Sequence, residues 1–65
     1  MFENVRREMG AARMSQAELA RRINRDQKTI GFKLSGKREF TRTEMLRISR
    51  ELNQSLDHLF GEEQG

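Results

Sequence analysis

The side chains with the most specific chemistry in this sequence are Gln27, Lys28 and Phe32. Lys28 and Phe32 share one face of a predicted helix, and Gln27 lies at its N-terminal end. Ile30 and Leu34 define the opposite, buried face. An outward Gln amide can pair with N6 and N7 of adenine, a Lys ammonium can bind O6 and N7 of guanine, and a phenyl ring can pack on the methyl group of thymine. We therefore expect these three side chains to read bases. In the alternative, Phe32 belongs to the core, which requires a different rotation of the helix.

A second group of polar residues is suited to phosphates rather than to bases. The start of the preceding helix offers free backbone amides and the positive end of a helix dipole. Cations that follow the base-reading helix can form a clamp on its other side. The predicted phosphate contacts are Ser15, Gln16, Lys37, Arg38 and Arg42. Ordinary surface charge is the competing interpretation of each of these cations.

Two short helices must position these side chains. Ser15 followed by Glu18 is a capping-box pattern that starts the first helix, and Asn24 can end it in the left-handed conformation. Asp26 can cap the second helix, which we expect over about residues 26–35. Two helices joined by about three residues form a helix-turn-helix, and its second helix enters the major groove of DNA.

This segment resembles the Cro/C1-type (XRE) helix-turn-helix family of phage and bacterial repressors. The resemblance is carried by Ser15-Gln16, Leu19-Ala20, Ile23, Asn24, Thr29-Ile30, Gly36-Lys37 and the later run SLDHLF at residues 55–60. It covers nearly the whole chain. It implies an all-α, five-helix lambda-repressor-like helix-turn-helix domain, and it points to the same three base readers. It also implies that Asp26 faces DNA.

Two positions depart from the family pattern. Many members carry a buried Arg on the first helix paired with a Glu near the end of the third, but Met9 and Leu34 stand there in this chain. Replacing a buried ion pair by packed apolar groups removes the desolvation cost of both charges, so the joint change is physically coherent. Lys33 stands where an apolar core residue is common, which leaves the rotation of the third helix open.

Three further helices complete the predicted domain. Their expected ranges are about 2–12, 42–52 and 56–60. Thr41 with Glu44 is a second capping box, and Ser55 can cap the last helix. The predicted inward side chains are Phe2, Val5, Met9, Ala12, Met45, Ile48 and Leu52. Residues 1–61 would form one helix-turn-helix DNA-binding domain, and residues 62–65 a disordered C-terminal tail.

The composition argues against catalysis. With 65 residues and 34% hydrophobic side chains, the chain has one small core and little room for an enzyme pocket. It has no cysteine and a single histidine, His58, whose neighbour Asp57 diverges from it by about 100° on a helix. We expect no enzyme activity, no metal and no cofactor. No apolar run approaches the ~20 residues of a membrane span, so we expect a cytoplasmic protein with no membrane or small-molecule partner.

The charge distribution favours a polyanionic partner. Residues 1–50 hold all 13 basic residues and six of the ten acidic ones, a net charge of +7, whereas residues 51–65 carry −4. A basic body around a helix-turn-helix is typical of nucleic-acid binding. We therefore expect a sequence-specific double-stranded DNA-binding transcriptional regulator, a repressor of phage or prophage type. The alternative is a protein-interaction module of the same fold, such as an antitoxin or adaptor.

The end of the chain is predicted to form a homodimer contact. One half-site gives a small interface, so useful affinity implies two copies on a pseudo-palindromic operator, at least on DNA. The expected contact residues are Leu56, His58 and Phe60. Because positions 59 and 60 lie about 100° apart on a helix, one of Leu59 and Phe60 is expected at the surface.

Overall fold

Five α-helices build the protein in a computed structural model that describes residues 1–61. They are α1 (Glu3–Ala11), α2 (Gln16–Arg22), α3 (Gln27–Leu34), α4 (Arg42–Leu52) and α5 (Leu56–Phe60). The all-α prediction is confirmed for this part of the chain, which contains no strand. No helix within residues 1–61 is both long and apolar enough to cross a membrane. The predicted tail, residues 62–65, lies outside the described residues.

Side-chain caps start four of the helices, as the sequence predicts. Ser15, Asp26, Thr41 and Ser55 each accept a hydrogen bond from the backbone amide three residues later, at 2.6–3.1 Å. Each cap satisfies an amide that has no partner inside its helix. The boundaries of α2 to α5 are therefore fixed locally.

Only one of the two predicted capping boxes is complete. At α4 the Glu44 carboxylate accepts the Thr41 amide at 2.8 Å, which closes the box. At α2 the Glu18 carboxylate instead binds Arg21 and Arg22, at 2.5 and 2.7 Å. The reciprocal half of the first capping box was therefore predicted wrongly, because two cations one turn away compete for the same carboxylate.

Left-handed residues end the helices where the sequence indicated. Asn24 and Asn53 have φ angles of 61° and 55°, and Gly36 has a φ of 87°. Asn and Gly tolerate this conformation best, so the three positions mark sharp chain reversals. Arg13 also adopts it, with φ 55°, although no such residue type marks the end of α1.

All five helices contribute to one core. The helix α2 packs on α3 and α4, and α5 packs on α1 and α4. The buried apolar side chains are Val5, Met9, Met14, Leu19, Ala20, Ile23, Ile30, Leu34, Phe40, Ile48, Leu52, Leu59 and Phe60. Of the predicted inward residues, Phe2 and Met45 are half-buried, and Ala12 is exposed because α1 ends before it.

The short helix α5 is covered on more sides than its sequence suggested. Leu59 and Phe60 are both buried, with 1% and 4% of their surface exposed, because α5 lies against α1 and α4 at once. Phe60 packs edge-to-face with Phe2 and Phe40, with ring centroids 5.9 and 5.5 Å away. The expectation that one of the two side chains would remain at the surface was wrong. Phe60 is therefore a core residue, and its ring is not available as a dimer contact.

Two polar contacts tie α1 to the rest of the domain. The Asn4 side-chain amide donates to the His58 carbonyl at 2.7 Å, and Arg6 donates to the Leu34 carbonyl at 3.2 Å. The latter carbonyl belongs to the last turn of α3, where helix carbonyls lack internal partners. Met9 and Leu34, the two apolar residues at the positions of the ion pair expected from the sequence resemblance, are both buried.

Candidate nucleic-acid interface

The rotation of α3 places the predicted base readers on its outer side. Ile30 and Leu34 are fully buried, while Gln27 and Lys28 are exposed and Phe32 is half-buried. The Asp26 cap holds the first turn of α3, so the backbone that carries Gln27 and Lys28 is ordered by a local hydrogen bond. The face inferred from the sequence is therefore the face that the structure exposes.

Two lysine ammonium groups lie close to the Phe32 ring. Lys28 Nζ is 5.9 Å and Lys37 Nζ 5.6 Å from the centroid of its ring. These distances are within the range of a cation–π contact. The backbone amides of Lys37 and Arg38 also reach the Phe32 carbonyl, at 2.9 and 3.4 Å. The end of α3 and the loop after it are thus joined, which brings a predicted base reader next to predicted phosphate contacts.

The loop cation Arg38 also acts on the start of α3. Hydrogen bonds from the Thr29 side chain and amide lower the pKa of the Asp26 carboxyl, and the charges of Lys28 and Arg38 lower it further. Lys28, in the first turn of α3, and Arg38, in the loop after it, therefore both favour the ionised form of this carboxyl. The cap carboxylate stays ionised at neutral pH and offsets part of that charge.

The predicted contacts at the start of α2 lie beside α3. Ser15 is exposed and caps α2, and Gln16 is half-buried. The Gln16 Oε1 atom lies 3.4 Å from the point where a Cβ on Gly31 would sit. This separation is an ordinary van der Waals contact, so the Gln16 side chain lies against α3 at Gly31. This position joins the N-terminus of α2 to the exposed side of α3.

Lys33 does not belong to the solvent-facing cations. Its place in the sequence is among the basic residues around α3, but only 8% of its surface is exposed. Its Nζ atom lies 2.6 Å from both carboxylate oxygens of Glu44. At position 33 of α3, where an apolar core residue was expected, a lysine is therefore buried and its charge is neutralised by a carboxylate inside the protein.

Glu44 is the centre of a charge cluster that the sequence did not reveal. Besides Lys33, its carboxylate accepts a hydrogen bond from Arg25 at 2.8 Å and one from the Thr41 amide. Burial by itself raises the pKa of the Glu44 carboxyl. The hydrogen bonds from Lys33, Thr41 and Arg25 outweigh this effect and lower the pKa from 4.5 to about 2. The sequence signals that could have revealed this cluster were a lysine at a core position of α3 and an acidic residue in the first turn of α4.

The remaining cations divide into paired and unpaired sets. Arg21, Arg22, Arg25 and Lys33 form salt bridges with Glu18, Glu51 or Glu44. The four cations assigned above to bases or phosphates, Lys28, Lys37, Arg38 and Arg42, form no salt bridge within residues 1–61 and are exposed. The same holds for Arg6, Arg7, Arg13, Arg47 and Arg50. An exposed cation without an acidic partner is the kind that a phosphate can bind at low desolvation cost.

The predicted dimer contact is only partly at the surface. Leu56 is half-buried and packs against the core, and Phe60 is buried. His58 Nε2 lies 2.9 Å from Glu8 Oε2, and 39% of the His58 side chain is exposed. The surface of α5 is therefore mixed, with polar and apolar parts.

Within residues 1–61, no group of three or more acidic, His or Cys side chains is arranged to hold a metal ion. Comparisons with protein-family models, curated proteins and solved structures found no match. The function must therefore be inferred from the chemistry of the surface formed by α3 and the segments beside it.

Proposed function

We propose that this protein is a sequence-specific double-stranded DNA-binding transcriptional regulator with a lambda-repressor-like helix-turn-helix fold. The observation that supports it most is the surface of α3. Gln27, Lys28 and part of Phe32 are accessible there, while Ile30 and Leu34 are buried. The ammonium groups of Lys28 and Lys37 lie near the Phe32 ring. In this proposal α3 lies in the major groove, and its first turns contact base edges.

The arrangement around α3 supports contact with phosphates on both sides. Before α3, α2 presents its capped N-terminus and Gln16. After α3 along the chain come Lys37 and Arg38, whose amides bind the Phe32 carbonyl, and then the first residue of α4, Arg42. Phosphate contacts on either side of a groove fix the register of a recognition helix without themselves carrying sequence information.

Two copies on one operator are part of the proposal. A single α3 contacts only a few base pairs, and one small module buries too little surface for tight specific binding. A pseudo-palindromic site doubles the interface when a dimer binds. Exposed parts of Leu56 and His58 on α5 remain the proposed contact between copies, without Phe60. A small interface of this kind would form fully only on DNA.

A protein-interaction module, an antitoxin or adaptor, is the second candidate. The observation that favours it is the half-buried Phe32 ring, because exposed aromatic surface also suits a protein partner. Salt separates the two functions. Binding to DNA through several phosphates weakens steeply as salt rises, whereas an apolar protein interface changes little.

Replacing Lys28 or Gln27 by Ala is expected to cost about 1–3 kcal/mol on the preferred DNA site and to relax its preference at one base pair. Each change removes donors from an exposed side chain on the outer side of α3. Fluorescence anisotropy on the preferred site and on single-base variants measures both effects. Arg50→Ala, which removes an exposed cation at the far end of α4, is the matched control and should change little. A uniform loss on all DNA sequences would contradict the assignment to bases.

Arg38→Ala and Arg42→Ala are expected to weaken binding to every DNA sequence alike. Each removes one phosphate contact, so the slope of log K against log salt should become shallower by about one unit. Titrations at several salt concentrations on specific and unrelated DNA give the slopes. Arg50→Ala again serves as the control. If affinity and slope both stayed at the wild-type values, the two arginines would not contact DNA.

A further inference from the structure

Phe32 differs from the other phenylalanines of the chain. Phe2, Phe40 and Phe60 pack edge-to-face in one cluster, with centroid distances of 5.1–5.9 Å. The partly buried apolar side chains that pack on the core within residues 1–61 are Phe2, Met45 and Leu56, and Phe32 is not one of them. Its ring is half-buried outside the core, so the stability of the fold does not explain a phenyl ring at this position.

The surroundings of the ring are cationic. The ammonium groups of Lys28 and Lys37 both lie within 6 Å of its centroid. Lys28 and Phe32 are four residues apart on α3, so their side chains stand on the same face. An apolar ring is thus held beside two donors on the exposed side of α3.

A phenyl ring has neither a donor nor an acceptor for a base edge. The apolar group that the major groove presents is the C5-methyl of a pyrimidine. Side chains four residues apart are separated by ~5–6 Å at Cβ, and successive base pairs rise by ~3.4 Å, so Lys28 and Phe32 would contact neighbouring base pairs. The positive charge of the two ammonium groups favours a hydrogen-bond acceptor beside that methyl. Thymine has such an acceptor, O4, whereas cytosine has the N4 amino donor there.

We infer that Phe32 reads the 5-methyl group of a pyrimidine, so that this protein distinguishes thymine from uracil and 5-methylcytosine from cytosine at one position of each half-site. The inference rests on the proposed DNA-binding function and names the group that its base-reading surface recognises. It makes binding to a site with cytosine at that position sensitive to methylation of the base. Thymine binds best because it combines the methyl with an acceptor.

The test uses pairs of duplexes that differ by one methyl group. Each thymine of a site selected from random DNA is replaced in turn by deoxyuridine, and at the sensitive position cytosine is compared with 5-methylcytosine. Burial of one methyl corresponds to about a fourfold change in Kd. The wild-type chain should lose about fourfold with deoxyuridine at one position per half-site and gain about fourfold from 5-methylcytosine over cytosine.

Variants assign the effect to the ring. The quantity compared is the ratio of the Kd values for the duplexes without and with the methyl group. In Phe32→Ala both ratios should fall to about one. Phe32→Leu keeps an apolar group and should retain part of each ratio, and Arg50→Ala should keep the wild-type ratios. Equal ratios in wild type and Phe32→Ala would overturn the inference. So would a wild-type chain with no methyl-sensitive position, a result that does not depend on whether any variant folds. A random pool that yields no enriched sequence would instead reject the proposed function, and this inference with it.

Discussion

Glu44→Gln is expected to lower the free energy of unfolding by about 3–5 kcal/mol, because it leaves the buried ammonium of Lys33 without a negative partner. The substituted amide can still accept the Thr41 N–H, so the loss reports the charge rather than the cap. Urea denaturation followed by circular dichroism measures it. Glu51→Gln removes a solvent-exposed partner of Arg22 and, as the matched control, should cost less than about 1 kcal/mol.

A loss of this size is a large part of the stability of a 65-residue domain. The double variant Lys33→Met with Glu44→Gln removes the orphaned ammonium and should recover part of the loss. A Glu44→Gln chain as stable as the Glu51→Gln control would show that the Lys33 charge is not buried in solution.

The same carboxylate sets part of the acid sensitivity of the fold. The pKa of Glu44 is about 2 in the folded protein and has an ordinary value of 4.5. Because the folded value is the lower one, the stability that Glu44 contributes is fully present above about pH 4.5 and is lost as pH falls toward about 2. Unfolding free energies of Glu44→Gln should therefore depend less on pH across this window than those of the wild type.

Phe60→Ala is expected to lower the free energy of unfolding by about 3–5 kcal/mol, because the ring fills the core between Phe2 and Phe40 and no other side chain can replace its contacts. Phe32→Ala removes the same atoms from a ring outside the core and should cost less than about 1 kcal/mol. Thermal unfolding of the two variants side by side gives the comparison. Phe32→Ala is expected to impair DNA binding instead.

Equal losses in the two phenylalanine variants would contradict this division between core and interface. A small loss in Phe60→Ala together with a loss of dimerisation would return Phe60 to the contact between copies. Sedimentation equilibrium on the same samples distinguishes these outcomes.

Local signals in the sequence predicted most of the helix boundaries. Asp26 and Ser55 act on amides three residues away, and Asn24 and Asn53 end helices through their own backbone conformation. None of these effects requires knowledge of the tertiary structure. The outer side of α3 was predictable for a related reason, because Ile30 and Leu34 alone define its buried face.

Effects that depend on packing between helices were not predictable in this way. Glu44 could be recognised as a cap partner, but its contacts with Lys33 and Arg25 come from α3 and from the turn before it. One of Leu59 and Phe60 was expected at the surface because neighbouring positions diverge by about 100° on a helix, whereas α1 and α4 cover α5 on two sides. A helical wheel describes one helix in isolation, whereas the number of helices that pack against that helix depends on the whole fold.

Selection of bound duplexes from a random DNA pool tests the DNA-binding proposal most directly, because it reports binding, half-site and spacing together. We expect an enriched pseudo-palindrome whose half-sites lie about one helical turn apart, and we expect Lys28→Ala to relax the preference at one base pair of each half-site. Failure to enrich any sequence at low salt, with the wild-type chain folded, would contradict the proposal that α3 reads DNA.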